Sequence, residues 1–288
     1  MAKRYIIDTP QTIDLADYDP DDTGGVKHKE APAMLTKLEA RLALQQELLY
    51  AAGQHSVLIV LQGLDSAGKD GTVGHVITAV NPSGCQVWGF KVPTAEEASH
   101  DFLWRIHQRT PARGIMAIFN RSHYEDVLVT RVHNLVPKEV WEARFEQINH
   151  FEHLLTHSNT IILKFFLHIS KDEQEQRLLA REDDVDKSWK LSVGDWKERA
   201  FWPDYQKAYA DAIGQCGTKW APWHIIPANK KWYRNLLVAQ AIVETLEPYE
   251  KKWNEALQER GKEELAALKA AHVHDEVGKS EVSKAKKS

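Results

Sequence analysis

Five short apolar runs interrupt an otherwise polar chain: VLIVLQ from residue 57, CQVWGF from 85, IMAIF from 115, TIILKFFLHI from 160 and WHIIP from 223. Apolar runs of this length without alternation predict strands buried on both faces. Between them the pattern changes to helical spacing. KDGTVGHVITAV follows the first run. TAEEASHDFLWRIHQ opens with the capping-box spacing of Thr94 and Glu97, PKEVWEARFEQINHFEHLL carries proline in its first turn, and SKDEQEQRLLA pairs Ser170 with Glu173. Strand and helix alternate, which predicts an α/β fold with a five-stranded parallel sheet covered on both faces, a three-layer sandwich.

The flanks read differently. DYDPDDTGG is polar and turn-rich, so residues up to about Val26 are expected to form an irregular arm. Met34, Leu35, Leu38, Leu42, Gln45 and Leu49 then recur near a 3.6 period, predicting a packing helix that ends at Gly53. NKKWYRNLLVAQAIVETLE makes the closing helix. Beyond Pro248 the chain is rich in Lys, Glu and Ala, and VGKSEVSKAKKS is expected to fray from a solvated helix into disorder. The expected organisation is an arm and packing helix over 1–55, a core over 56–247 and a C-terminal extension over 248–288.

Hydrophobic residues make up 43% of the 288 and charged ones 27%, and no apolar run approaches the roughly 20 residues needed to cross a bilayer. No membrane partner is expected. MAKRYIIDTPQTIDLADYDP lacks a continuous apolar stretch and does not read as a secretion signal. Cys85 and Cys216 lack metal-ligand spacing and suit buried thiols in a reducing cytoplasm. The net charge of −4, from 41 acids and 37 bases, argues against nucleic acid as a partner. Any anionic ligand must therefore meet local charge, and the stretch holding Arg105, Arg109, Arg113, Arg121 and Arg131 is one candidate.

The chemistry begins at GLDSAGKDG. Gly63 to Lys69 satisfies Gly-x4-Gly-Lys between a predicted strand and a predicted helix, which is where a phosphate loop belongs. Gly63, Ala67, Gly68, Asp70 and Gly71 would surround phosphate with backbone N–H groups while the Lys69 ammonium neutralises charge. A glycine-rich turn with a surface lysine is the plainer alternative. Asp70 stands where a Ser or Thr hydroxyl is expected, and Asp65 puts a second carboxylate inside the loop. A carboxylate there repels phosphate unless a cation lies between them, so Asp65 is read as a magnesium ligand. Asp70 is equally well served by the helix dipole.

GLDSAGKDG, NPSGCQV, DFLWRIH, IFNRSHYEDVLVTRV, ILKFFLHISKDEQEQRL and APWHIIPANKKWYRN, in that order over roughly residues 30 to 247, resemble the polyphosphate kinase 2 family. The resemblance implies a P-loop kinase fold with a helical lid, here 177–202. It also implies transfer of the terminal phosphoryl group of inorganic polyphosphate to AMP and ADP, with GMP and GDP as further acceptors. Mg2+ or Mn2+ is the implied cofactor, and a homotetramer or homodimer the implied assembly.

Asp65, Lys69, Arg121 and Asp126 become the catalytic candidates, with Asp65 and Asp126 as metal ligands and Glu125 beside them. Asn120 occupies the strand end where many P-loop kinases carry aspartate, so Glu125 and Asp126 are left to supply the charge, unless they only complement the helix dipole. Arg177 and Arg181, four apart, are expected to grip phosphates from the lid. Gly74 stands where relatives carry a basic residue, which leaves Arg109, His75, Lys187 and Lys190 as candidates for the polyphosphate track. Two other functions remain open: an ATP-dependent nucleotide or nucleoside kinase, and a non-catalytic polyphosphate- or nucleotide-binding protein.

Overall fold

The computed structural model describes residues 5–182 and 193–285. Strand β1 (Tyr5–Ile7) is followed by helix α1 (Ala31–Ala52), and β2 (Ser56–Gln62) runs through the glycine-rich loop 63–68 into α2 (Lys69–Thr78). Then come β3 (Cys85–Gly89), the short helices α3 (Ala95–Ala98) and α4 (Trp104–His107), β4 (Met116–Asn120), α5 (Glu125–Val132) and α6 (Lys138–His157). β5 (Thr160–His168) leads into α7 (Lys171–Glu182), α8 (Val193–Glu198) and α9 (Trp202–Cys216), and β6 (Trp223–Pro227) precedes α10 (Lys231–Leu246) and α11 (Glu250–Ala285).

The sheet has six strands in the order β1-β6-β5-β2-β4-β3. The five expected strands are all present and parallel, from β3 at one edge to β6. The sixth is a correction: Tyr5–Ile7, expected to be irregular, pairs antiparallel with Ile225–Trp223 of β6, so the sheet is mixed. Three residues are too few to show a period, and β1 exists because β6 offers it an open edge.

β2 explains why its sequence is apolar throughout. Val57, Ile59 and Leu61 face one layer, with α1, α2, α10 and α11, while Leu58 and Val60 face the other, with α5, α6 and α9. Burial of both faces removes any reason for polar alternation. The expected helix over TAEEASHDFLWRIHQ is split in two. The Thr94–Glu97 capping box forms, but α3 buries none of its residues, and Asp101 starts a turn by accepting from the Leu103 N–H. In the extension, the buried Trp253 donates its ring N–H to His55. α11 continues to Ala285 where fraying was expected, in keeping with a composition of strong helix formers.

Candidate active site

The parallel strands β2, β4, β5 and β6 all end at one edge of the sheet, and the segments that follow them, 63–70, 120–125, 170–177 and 228–234, line a cleft of about 780 Å3. Open α/β sheets bind ligands at this edge. Seven basic residues, Lys69, Lys91, Arg121, Arg177, Arg181, Lys231 and Arg234, meet four carboxylates, those of Asp65, Asp70, Glu173 and Asp195. A chain of net charge −4 has gathered an excess of positive charge at one place.

Within the loop, Lys69 Nζ donates to the Gly63 and Leu64 carbonyls at 2.7 and 3.1 Å. Burial, then the nearby Arg121 guanidinium, lowers its pKa to about 8, against the opposing pull of Asp65, Glu125 and Asp70. Gly68 has φ +100°, and a Cβ there would lie 1.8 Å from Arg234 Nη1. The backbone favours glycine there, and a Cβ would also force the Arg234 guanidinium aside.

The odd residue of the loop acquires a partner in the fold. Asp70 Oδ1 accepts a 2.8 Å hydrogen bond from Asn120 Nδ2 at the end of β4. An aspartate at position 120 would place two carboxylates together, whereas the amide supplies a donor. The departures at positions 70 and 120 are thus complementary.

Arg121 follows β4 with φ +63° and reaches Asp65 Oδ1 at 2.5 Å and Glu125 Oε2 at 3.1 Å. Burial works against its charge, but Glu125 and Asp65 more than offset this and raise its pKa above the ordinary value. Glu125 lines a small recess beside the cleft with Asp65, Arg121, Tyr205 and Tyr209.

Asp126 does not join them. Consecutive residues on a helix point about 100° apart, and Asp126 turns inward to Arg144 at 3.5 Å and Arg105 at 3.9 Å, away from the cleft. Burial raises its pKa in spite of both arginines. The expectation that Asp126 faces the reaction centre as a metal ligand is corrected: its carboxyl lies against Arg105 and Arg144 and does not line the cleft, whereas the neighbouring Glu125 lines the recess beside it.

The two arginines of the expected lid also part company. All five N–H groups of Arg177 are committed, to Glu173 Oε1 and to the carbonyls of Ser66, Ala67, Ala228 and Asn229, at 2.6 to 3.1 Å. It braces the loop from below instead of gripping a ligand from above. Arg181 does face the cleft and pairs with Asp195 at 3.1 Å. Burial, then the proximity of Asp65, raises the Asp195 pKa despite Arg181.

Of the track candidates, Lys187 and Lys190 lie outside the described residues. His75 is exposed on the α1 side of α2, beside Leu35 and Glu39, and Arg109 stacks 4.2 Å over the Trp88 ring. Neither lines the cleft. Lys91, Lys231 and Arg234 do, and sequence reasoning passed over them. The rule that ligands sit beyond strand ends would have pointed to the turns after β3 and β6.

Asp65 and Glu125 offer hard oxygen donors on either side of Arg121. Among the described residues no three or more His, Cys, Asp or Glu side chains gather as a metal cage. The pair suits Mg2+, which typically binds one or two carboxylates and completes its shell with water and substrate phosphate.

Residues 25–254 match the family model of Polyphosphate kinase 2 (PPK2). The chain is 53% identical over 247 residues to the AMP/ADP-polyphosphate phosphotransferase of Meiothermus ruber, covering 85% of this chain and 92% of that protein. It is 44% identical over 237 residues to the ADP-polyphosphate phosphotransferase of Rhodopseudomonas palustris, covering 78% and 82% respectively. Polyphosphate kinase 2 from Arthrobacter aurescens superposes in its crystal structure with a TM-score of 0.80 at 44% identity, covering 86% of this chain and 92% of that one.

Proposed function

The chain belongs to the polyphosphate kinase 2 family, and on that premise we propose that it moves the terminal phosphoryl group of inorganic polyphosphate onto AMP and ADP. The observation that carries this reading is the basic cleft above the phosphate loop in an acidic chain. Phosphoryl transfer asks little covalent chemistry of a protein; it needs positioning and neutralisation of charge on the migrating group. Lys69 and Arg121 stand at the loop for that role, with Arg181, Lys91, Lys231 and Arg234 around them to bind the rest of a polyanion. The acceptor phosphate oxygen is already an anionic nucleophile and calls for no general base.

Asp65 and Glu125 would hold Mg2+ or Mn2+, which supplies charge neutralisation between phosphates when bound. GMP and GDP are proposed as further acceptors. A homodimer or homotetramer in the cytoplasm completes the proposed reading.

The experiment is a chromatographic nucleotide assay with purified protein, Mg2+ and long-chain polyphosphate, with AMP and ADP in separate reactions. ADP and ATP from AMP, and ATP from ADP, are expected. Phosphorylation from ATP with no response to polyphosphate would overturn the reading in favour of an ordinary P-loop kinase. Tight binding without turnover would favour a binding protein.

A further inference from the structure

A closed polar cluster lies inside the apolar layer beneath α5, α6 and α9, away from the cleft. Lys164 interrupts the apolar run of β5, Glu152 sits on α6, and neither side chain is exposed at all. Lys164 Nζ donates three hydrogen bonds, to Glu152 Oε2 at 2.6 Å, to Tyr124 Oη at 2.8 Å and to the Cys216 carbonyl at 2.7 Å. Glu152 Oε1 accepts from Tyr124 Oη at 2.9 Å and lies 3.2 Å from His123 Nε2. Every proton of the buried ammonium is used.

Stability does not account for such a cluster. Taking two charges out of water is costly, and apolar residues of similar volume commonly serve a core as well or better. What the pair grips is more informative. His123 and Tyr124 belong to the turn between β4 and α5, two and three residues after Arg121.

That turn starts from a strained residue. Arg121 has φ +63°, which costs energy for any side chain other than glycine and persists where the surroundings over-determine it. Its own N–H is tied to the Leu61 carbonyl at 3.1 Å. Ser122 Oγ accepts from Gln62 Nε2 at 3.3 Å and from the Tyr124 N–H at 3.2 Å. The turn is thus fastened to β2 through Ser122 and to β5 and α6 through His123 and Tyr124.

We propose that the buried Lys164–Glu152 pair is a positioning device for Arg121: by gripping Tyr124 and His123 from inside the core, it holds the strained turn that aims the Arg121 guanidinium at Asp65. The four residues of the cluster act through Arg121 and touch no substrate. The inference rests on the assignment of Arg121 to phosphoryl transfer.

The test replaces the pair with apolar residues of similar volume, Lys164→Met together with Glu152→Leu, and separately removes one hydroxyl with Tyr124→Phe. Melting temperature and steady-state kinetics with polyphosphate and AMP are measured for each. The double variant is expected to melt somewhat lower, because Tyr124 Oη, His123 Nε2 and the Cys216 carbonyl lose partners, yet to remain folded at the assay temperature while kcat falls about tenfold or more and KM for AMP stays within about twofold, the signature of a lost transition-state interaction. In an Arg121→Ala background the same core substitutions should cost nothing further, because the group they position is gone. Wild-type kcat in the double variant, or a full second loss in the Arg121→Ala background, would overturn the proposal. If the double variant does not fold, Tyr124→Phe carries both comparisons. Arg121→Ala at the wild-type rate would remove the assignment of Arg121 itself, and the inference with it.

Discussion

Arg121 Nη2 lies 2.5 Å from Asp65 Oδ1, joining the end of β4 to the middle of the phosphate loop across the floor of the cleft. The two are 56 positions apart in the chain, and under the proposed function they place charge beside the migrating phosphoryl group. Asp65→Asn keeps the shape of the side chain and removes its charge. We expect kcat to fall by about two to three orders of magnitude, in line with the loss of one preorganised electrostatic group. Turnover at saturating polyphosphate and AMP checks this, and activity within about threefold of wild type would contradict it.

Lys69 sets a pH dependence whose sign differs between stability and activity. Burial, with Arg121 behind it, brings its pKa from 10.5 to about 8 in the fold. Between those values the native state binds fewer protons than the unfolded chain, so stability rises with pH there. The lysine's cost to the fold is fully present below pH 8. Activity runs the other way: kcat/KM should fall as pH rises through about 8, because the free enzyme loses its ammonium. Bound phosphate retains the proton, which moves the limb in kcat to higher pH. A kcat/KM profile flat from pH 7 to 10 would refute this.

Glu125 and Asp126 are separable by magnesium titration. Glu125→Gln should raise the Mg2+ concentration for half-maximal activity by about tenfold. Asp126→Asn should leave that midpoint in place and instead lower the melting temperature, because it weakens the anchor of Arg105 and Arg144. The reverse pattern would restore Asp126 as the metal ligand.

Arg177 and Arg181 should fail in different ways. Arg177→Ala strips partners from four backbone carbonyls around the loop and is expected to cost about 3–5 kcal/mol in denaturant unfolding. Arg181→Ala should leave unfolding nearly unchanged and raise KM for polyphosphate by about tenfold. An Arg177→Ala protein of normal stability would argue against the bracing role.

Gly68→Ala should destabilise by about 2–4 kcal/mol, through its left-handed φ and the collision with Arg234. Gly74→Ala is the control, since nothing lies within 4 Å of a Cβ there. In a helix interior that change is expected to be neutral or to stabilise by up to about 1 kcal/mol. Equal effects at the two positions would mean that the Gly68–Arg234 contact is unimportant.

Local order along the chain was enough to locate the parallel strands, because strands covered on both faces are mostly apolar, as β2, β4, β5 and β6 are apart from a few buried polar residues such as Lys164, while the edge strand β3 is largely exposed. It was enough to place the glycine-rich Gly63–Lys69 segment between a strand and a helix, since that motif lies within a few residues. β1 escaped notice because its partner strand lies more than two hundred residues away and three residues carry no period. Which of Glu125 and Asp126 faces the cleft depends on how α5 packs against α6, and adjacent carboxylates look alike until that packing exists.

Arg177 and Arg181 share a helix face and a charge, yet five hydrogen bonds bury one while the other stays at the cleft wall; the carbonyls responsible come from two distant turns. Arg234 reaches Gly68 across 166 positions, and Asp70 finds Asn120 across 50. Residue type and spacing therefore determined what chemistry this chain can hold. Folding decided which charges face the ligand and which hold the scaffold, because a guanidinium or carboxylate takes its role from the partners that distant segments bring to it.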